Sequence, residues 1–570
     1  MFSKVLIANR GAIACRIERT LKKLGIVSVA IYNEADRDSL HVQHADEAYS
    51  LGAGTVADTY LNQDKIFEII KKSGAEAVHP GYGFLSENPD FSARCAKEGV
   101  VFLGPTEEQM VSFGLKHKAR EIAGKAGVPL PPGTGLLQSA EEALAAAERI
   151  GYPVMLKSTA GGGGIGMQRC YSAKELSDAF DKVRMLAEHN FSSGGVFIEK
   201  FIEHARHIEV QIFGDGKGKV IAIGERDCST QRRNQKVIEE CPAPNLSAET
   251  RAKLDATAVA LGESVHYRGA GTVEYVFDAD EQKFYFLEVN TRLQVEHGVT
   301  EMVYGKDIVE MMLRLGAGEL GDIYEIKKTL VPHGHAIEAR LYAEDPAKNF
   351  RPSAGTVSTV EFPPEDRINV RIDTWIESGS EVSALFDPML AKVIAHADTR
   401  DEALQKLDET LRSSVVYGIE TNQQYLISLL ESPLLKEARM LTRSLNDYVY
   451  SANTVDFLTS GTQTTVQDYP GRTGYWAIGV PPSGPFDNYS FRLANRILGN
   501  DERAAALEIT VTGPNMSFNC DTEAVITGAP IKAALDGKPV AMNRAFMIRK
   551  GQVLKLGKVL GAGARSYLAF

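Results

Sequence analysis

The chain has 570 residues, 44% hydrophobic and 24% charged, a composition that excludes disorder and, at about 150 residues per domain, predicts roughly three to five domains. Its 63 basic and 74 acidic residues leave a net charge of −11, which argues against a protein that coats nucleic acid, so any anionic ligand must meet a local basic cluster. No apolar run approaches the roughly 18 residues of a membrane span, the start MFSKVLIANRG lacks a signal-peptide core, and the six cysteines show neither C-x-x-C nor metal spacing. A cytoplasmic chain without a membrane partner, its thiols reduced and used for packing, is expected.

In chain order, Lys4 to Ala8 reads as a short strand broken by Asn9-Arg10-Gly11. Ile13, Ile17, Leu21 and Leu24 then recur at helical spacing up to Gly25, and Val27 to Tyr32 is again a strand. This βαβ unit lacks G-x-G-x-x-G and carries no dinucleotide signal. Strand-like and helix-like patches alternate to about Leu445, which predicts α/β layers.

Pro153 to Lys157 forms another strand, followed by Gly161, Gly162, Gly163 and Gly164 and a strand-like run from Met167 to Tyr171. Consecutive glycines expose backbone amides to phosphate oxygens and let the loop move as a lid, although no Gly-Lys-Ser/Thr follows and the loop is not a Walker A motif. His204 and His207 are spaced H-x-x-H without H-E-x-x-H, so zinc is not expected; His207, Glu209 and Gln211 alternate as one strand face. If the run Glu288 to His297 is extended, Glu288, Asn290, Arg292, Gln294 and Glu296 project to one side. Glu274 adds a carboxylate from a second strand, and hard oxygen donors of this kind suit Mg²⁺. Lys116, Lys157, Lys236 and Arg340 are the cations available to phosphate and bicarbonate.

After about Asp447 the texture changes to short segments between turn signals such as Pro470-Gly471 and Asp536-Gly537, interrupted by one helix from Asp487 to Leu498. A β-rich second part is predicted. Ser566 to Phe570 reads as an unpaired terminal strand, from which a domain continuing past Phe570 is expected.

The segments IANRGAIACRI, HPGYGFLSEN, LKSTAGGGGIGM, ERDCSTQRRNQKVIEECPAP, FLEVNTRLQVEH and HAIEARLYAEDP together resemble the biotin carboxylase family of ATP-grasp enzymes over about residues 1 to 445. The resemblance implies an α/β and α+β chain: an N-terminal α/β domain (1–115), an ATP-grasp domain with a glycine-rich lid (116–330) and a biotin carboxylase C-terminal domain (331–446). A linker (447–455) then leads to a partial, β-rich carboxyltransferase domain (456–570). It also implies that Lys116, Lys157, the glycine loop, Glu199, Lys200, Ile202, His207, Gln231 and Asn234 hold ATP, and that Glu274, Glu288 and Asn290 hold Mg²⁺ or Mn²⁺. Lys236, Arg292, Gln294 and Val295 would cradle bicarbonate, Glu296 would be the base, and Arg340 would stabilise the biotin enolate-like anion. In that scheme ATP and bicarbonate yield ADP and carboxyphosphate, which releases CO₂, and the freed phosphate deprotonates biotin before its carboxylation.

The sequence departs from the usual family pattern at Ala12 (Glu), Ala160 (Gly), Ile165 (Arg), Asn234 (His) and Gly298 (Pro), which leaves the implied base, metal ligands and enolate partner intact. FLTSGTQTTVQDYPGRTGYWAIGVPPSGPFDNYSFRLANRILGN resembles the start of the carboxyltransferase domain of the urea carboxylase and urea amidolyase type. No Met-Lys-Met biotinylation sequence is present, so biotin is expected on a carrier domain outside this chain, and a homodimer is implied by the resemblance. The expected reaction is the first half of urea carboxylation, with guanidine or another nitrogen acceptor as the alternative. A carboxylate-amine ligase would leave RLQVEH and the Arg340 segment without a role, and a non-catalytic nucleotide-binding module would be expected to have lost Glu296, Lys236 or Arg292.

Overall fold

The computed structural model describes residues 1–158, 166–191 and 195–570, with the backbone alone for 186–191. It divides into two compact units, Met1–Tyr448 and Val449–Phe570.

The first unit opens with the anticipated strand Lys4–Ile7, helix Gly11–Leu24 and strand Val27–Tyr32. The helix stops because Gly25 adopts φ 70°, where its N–H reaches the carbonyls of Leu21 and Lys22. Lys4–Ile7 is the centre of a five-stranded parallel sheet in the order Glu47–Ser50, Val27–Tyr32, Lys4–Ile7, Ala77–His79, Val101–Phe102. Its inner strands are apolar in sequence because both faces are covered: Leu6 and Val78 pack with Phe67 and Phe91, while Val5 and Ile7 join Ile13 and Ile17.

An eight-stranded antiparallel sheet forms the body of the unit, ordered Lys283–Asn290, Arg268–Asp278, Ala205–Asp215, Val220–Arg232, Gln235–Cys241, His335–Tyr342, Met389–Ala397, Val370–Thr374. Strands from both sides of residue 330 share this sheet, so side chains distant in sequence stand on one surface. Helix Ala248–Ser264 covers part of it, burying Leu254, Ala258 and Leu261 against Ile212, Val220 and Tyr275. A separate three-stranded sheet, Met167–Cys170, Val154–Ser158, Val196–Lys200, packs under helices Ala140–Ile150 and Ala173–Phe191. The glycine run falls in 159–165 and lies outside the described residues.

The second unit is β-rich as predicted, with two five-stranded sheets and the helix Asn488–Leu498, capped by Asp487 and ended by Gly499. The expectation of an unpaired last strand is corrected. Arg565–Ala569 pairs with Ala506–Thr510 on one side and Thr522–Gly528 on the other. Ser566 to Ala569 are all buried, as befits an interior strand. Five of the six cysteines are buried and Cys520 is partly so, and among the described residues no helix is long and apolar enough to cross a membrane.

Leu261 is fully buried between its helix and the large sheet. Leu261→Ala should lower unfolding free energy by about 2–5 kcal/mol, measured by denaturant unfolding followed by circular dichroism. A loss below about 0.5 kcal/mol, the level of a surface change, would refute this packing.

Candidate active site

The large sheet carries an unusual row of charge. Glu288, Glu274 and Glu209 stand directly opposite one another on three adjacent strands, and Arg226 is next, opposite Glu209. Directly opposed like charges repel, so the row requires cations. Lys236 supplies the main one: its Nζ donates to Glu209 Oε2 at 2.6 Å, Glu274 Oε1 at 3.0 Å and Glu296 Oε1 at 2.6 Å. Arg226, fully buried, donates from Nε to Glu209 Oε1 at 2.5 Å and from Nη1 to Gln211 and Thr300, both at 2.9 Å. His207 Nε2 lies 3.2 Å from Glu274 Oε2, and its Nδ1 is 3.1 Å from Gln231 Nε2, which also donates to the Cys228 carbonyl at 2.8 Å.

The run from Glu288 to Glu296 is not one extended segment. The strand ends at Asn290, and Glu296 caps the following helix His297–Tyr304 with φ −80° and ψ 11°. The side chains still converge, because the turn folds them together: Arg292 donates to Asn290 Oδ1 at 3.1 Å and to Gln294 Oε1 at 2.5 Å, and Gln294 Nε2 donates to Glu274 Oε1 at 3.0 Å. Arg340 reaches Glu296 Oε2 at 3.0 Å and also contacts Glu239. Arg292, Val295 and Arg340 line a cleft of about 400 Å³ whose other walls include Tyr82, Trp375 and Phe386. Arg10 stacks between the last two rings, 4.9 and 4.4 Å from their centroids.

A second group of the expected residues is mounted on the three-stranded sheet. Lys157 pairs with Glu199, which also meets Arg120. Lys116 opens the helix Lys116–Lys125, and Ile202 is half-buried just past the strand that carries Glu199. The Lys200 ammonium is engaged by the carbonyls of Gly151 and Tyr152 at 3.0 and 3.1 Å. Asn234 stands apart, exposed at the tip of the two-residue hairpin between Arg232 and Gln235, where Arg233 and Asn234 have φ 50° and 63°.

Burial raises Glu274 and Glu296, yet both are held below the ordinary carboxylate value, Glu274 by Lys236 and His207, and Glu296 by Lys236, Arg340 and Arg226 against the charge of Glu209. Glu296 is therefore an ionised, buried carboxylate able to accept a proton. Glu288 moves the other way, raised by burial and by the facing Glu274. Burial, together with Lys116 and Arg120, pulls the Lys157 ammonium down, as in a site awaiting an anion. Donor atoms of His207, Glu209 and Glu274 lie within 4.8 Å of one another, but the Lys236 ammonium already bonds both carboxylates.

The sequence reading missed Arg226, Arg120, Glu87 and Lys392. Glu87 accepts from Arg292 Nε at 2.9 Å and from the Thr291 amide at 3.0 Å, and Lys392 donates to the Val295 carbonyl at 2.7 Å. Arg226 and Glu87 had a signal, since they stand inside two of the segments that carry the resemblance, ERDCSTQRRNQKVIEECPAP and HPGYGFLSEN; Arg120 and Lys392 stand in none of them.

Family models match along the chain: biotin carboxylase N-terminal domain (1–110), carbamoyl-phosphate synthase L chain ATP binding domain (116–322), biotin carboxylase C-terminal domain (338–447) and carboxyltransferase domain, subdomain A and B (478–570). A crystal structure of the biotin carboxylase domain dimer of Hydrogenobacter thermophilus 2-oxoglutarate carboxylase, with MgADP, ADP and bicarbonate, is 40% identical with a TM-score of 0.73, covering 79% of this chain and 100% of its own. The chain belongs to the biotin carboxylase family of ATP-grasp enzymes. Within it, the urea amidolyase of Saccharomyces cerevisiae is 51% identical over 568 residues, 100% of this chain and 31% of the relative. The Kluyveromyces lactis urea carboxylase structure is 45% identical with a TM-score of 0.79, covering 100% of this chain and 43% of that one. The chain thus spans about a third of the length of the curated urea amidolyases it matches.

Removing Lys236 leaves three buried carboxylates without their shared cation. Lys236→Met should cost about 3–5 kcal/mol at pH 8. The deficit should shrink at pH 5, because the carboxylates whose low folded values stabilise the native state above the unfolded range become raised in the variant and take up protons. Denaturant unfolding at both pH values tests this, and a deficit that grew on acidification would contradict it.

Proposed function

We propose that this chain catalyses ATP- and bicarbonate-dependent carboxylation of biotin, as the first half-reaction of a urea carboxylase. The observation that carries this reading is Glu296: fully buried, held below the ordinary carboxylate value, and paired with Lys236 and with Arg340, which lines the cleft together with Arg292 and Val295. In this reading Lys236, Arg292, Gln294 and the Val295 backbone hold bicarbonate, and Glu296 takes its proton, turning a feeble nucleophile into one able to attack the terminal phosphate of ATP. Arg340 is left with a neutral Glu296 at that moment and turns its charge to the anion developing on the ureido group in the cleft.

The donor set fits Mg²⁺. Glu274 and Glu288 face each other in register, Asn290 is two residues on, and the Glu288 carboxyl is raised by burial and by the facing Glu274, a repulsion that a divalent cation would relieve. Bound there, Mg²⁺ would neutralise phosphate charge. Lys116 and Lys157, with the glycine loop, bind the nucleotide, and Glu199, Lys200 and Ile202 contribute at its base end; His207 and Gln231 hold the edge of the site. Asn234 then acts through the hairpin tip.

The four-part division at 1–115, 116–330, 331–446 and 456–570 is the organisation we assign, consistent with the family matches. Biotin would arrive on a carrier domain of the kind of longer protein seen among the relatives, and urea, the acceptor named for those relatives, would be carboxylated by a carboxyltransferase domain to which Val449–Phe570 contributes. A homodimer through the first unit, as in the dimeric relative, and a cytoplasmic setting complete the reading.

ADP release with Mg-ATP and bicarbonate, with and without free biotin, is the direct test. Biotin should stimulate turnover, and Glu296→Gln should lower the stimulated rate at least about 100-fold, as expected for loss of a general base. Bicarbonate-independent turnover, or an unaffected variant, would sink the assignment.

A further inference from the structure

Behind Arg340 the same sheet holds a second pair of opposed carboxylates. Glu239 on Gln235–Cys241 and Glu338 on His335–Tyr342 are directly paired in the antiparallel register, so their side chains leave the sheet side by side. Both are fully buried. Unlike Glu274 and Glu288, this pair faces no cation-binding opening. Glu239 Oε1 contacts the Arg340 guanidinium, but Glu239 Oε2 and both oxygens of Glu338 accept no hydrogen bond.

The surrounding charge does not balance two ionised carboxylates. Arg340 is shared with Glu296 at 3.0 Å. Lys392 is 3.8 Å from Glu338, but it is nearer to Asp373 at 3.4 Å and donates to the Val295 carbonyl at 2.7 Å; Arg371, the further cation on the Gly298 side, is engaged by Glu301 and Asp373, both at 2.7 Å. Lys236, whose charge also reaches Glu239, is engaged by three other carboxylates. Tyr82, the further titratable group facing Glu338, is neutral, its hydroxyl pushed well up by burial. On the helix side the packing is close: a Cβ added at Gly298 would stand 3.3 Å from Glu338 Oε2 and 2.4 Å from Ile394 Cδ1.

We propose that Glu239 and Glu338 share a single proton at neutral pH and act as a positioning pair for Arg340, leaving it enough free charge to serve both Glu296 and the cleft. Burial pushes the two carboxyls up, Glu239 to about 7 and Glu338 to about 8, with Glu239 raising its partner further against the pull of Lys392 and Arg340. A second ionisation would put two negative charges behind Arg340 and draw its guanidinium away from Glu296. When Glu296 accepts a proton, Arg340 still has one carboxylate, and its position holds.

Two measurements test this. Infrared spectra at pH 7 in heavy water should contain a protonated-carboxyl C=O component that fades as pH rises through the range 7 to 9 and is lost from the spectrum of Glu338→Gln, as read from the wild-type-minus-variant difference, which cancels other raised carboxyls such as Glu18. This arm needs no activity and stands whether or not the biotin carboxylase reading holds. The functional arm rests on that reading: biotin-dependent kcat of the wild type should fall up to about tenfold from pH 7 to pH 9 as the pair ionises. Glu338→Gln, a neutral mimic of the protonated acid, should keep its kcat over that range with an unchanged KM for ATP. If Glu338→Gln fails to fold, the Glu239→Gln spectrum serves for the band assignment. No protonated-carboxyl band in the wild type, a band unchanged in both variants, or an identical pH profile in a folded Glu338→Gln would overturn the proposal.

Discussion

Lys236 is the interaction on which the site depends. Three carboxylates from three different parts of the chain, Glu209, Glu274 and Glu296, converge on one ammonium, the one cation that all three share. Arg226 neutralises the far side of Glu209, and Arg340 the far side of Glu296, so the charges form an alternating chain rather than isolated pairs. Such an arrangement costs desolvation energy that apolar residues would avoid, and its retention is explained by chemistry rather than by stability. What it provides is a base that is ionised although buried, beside cations already in place for an anionic substrate.

Much of the site was legible in the sequence, and the reason is physical. Strand periodicity fixes which side chains share a face, so His207, Glu209 and Gln211 were correctly grouped, and the row from Glu288 to Glu274 follows once their strands pair. The segment after Asn290 was read as a continuing strand, yet the chain there turns into a helix; local alternation of polar residues does not distinguish a pleat from a turn that folds the same residues together. Residues acting at long sequence separation were the least visible. Glu87 reaches Arg292 across 205 positions and Lys392 reaches the Val295 carbonyl across 97; no segment that carries the resemblance includes Lys392, and HPGYGFLSEN includes Glu87 without indicating its partner. The last strand was misjudged for a related reason: Arg565–Ala569 is interior because of partners more than 35 residues away.

Three of the five departures from the family pattern become intelligible in the structure, while Ala160 and Ile165 lie outside the described residues. Asn234 occupies a hairpin position with φ 63°, a left-handed conformation that asparagine tolerates better than most residues. Gly298 lets the first turn of its helix close on Ile394 and Glu338, where even a Cβ would collide. Ala12 is buried at the start of the first helix and lines the cleft beside Arg10, so the absence of a glutamate there leaves Arg10 to its bidentate partner Asp36 and its two aromatic neighbours.

The large sheet therefore meets the same electrostatic problem twice and resolves it in two ways. Glu274 and Glu288 are opposed where Glu288 is only half-buried, and in the proposed function a divalent cation relieves their repulsion. Glu239 and Glu338 are opposed on strands farther along and are fully buried, with Arg340 shared with Glu296 and Lys392 shared with Asp373. In the proposed state the pair keeps a proton, because the cost of a second, under-compensated buried charge exceeds that of retaining it at neutral pH. Register alone thus creates both pairs, and the two proposals differ in exposure: the same cross-strand geometry is assigned Mg²⁺ where Glu288 is half-buried and a proton where both carboxyls are fully buried. Arg340 lies between Glu239 and the proposed base, so the state of the closed pair bears directly on the chemistry at the open end of the cleft.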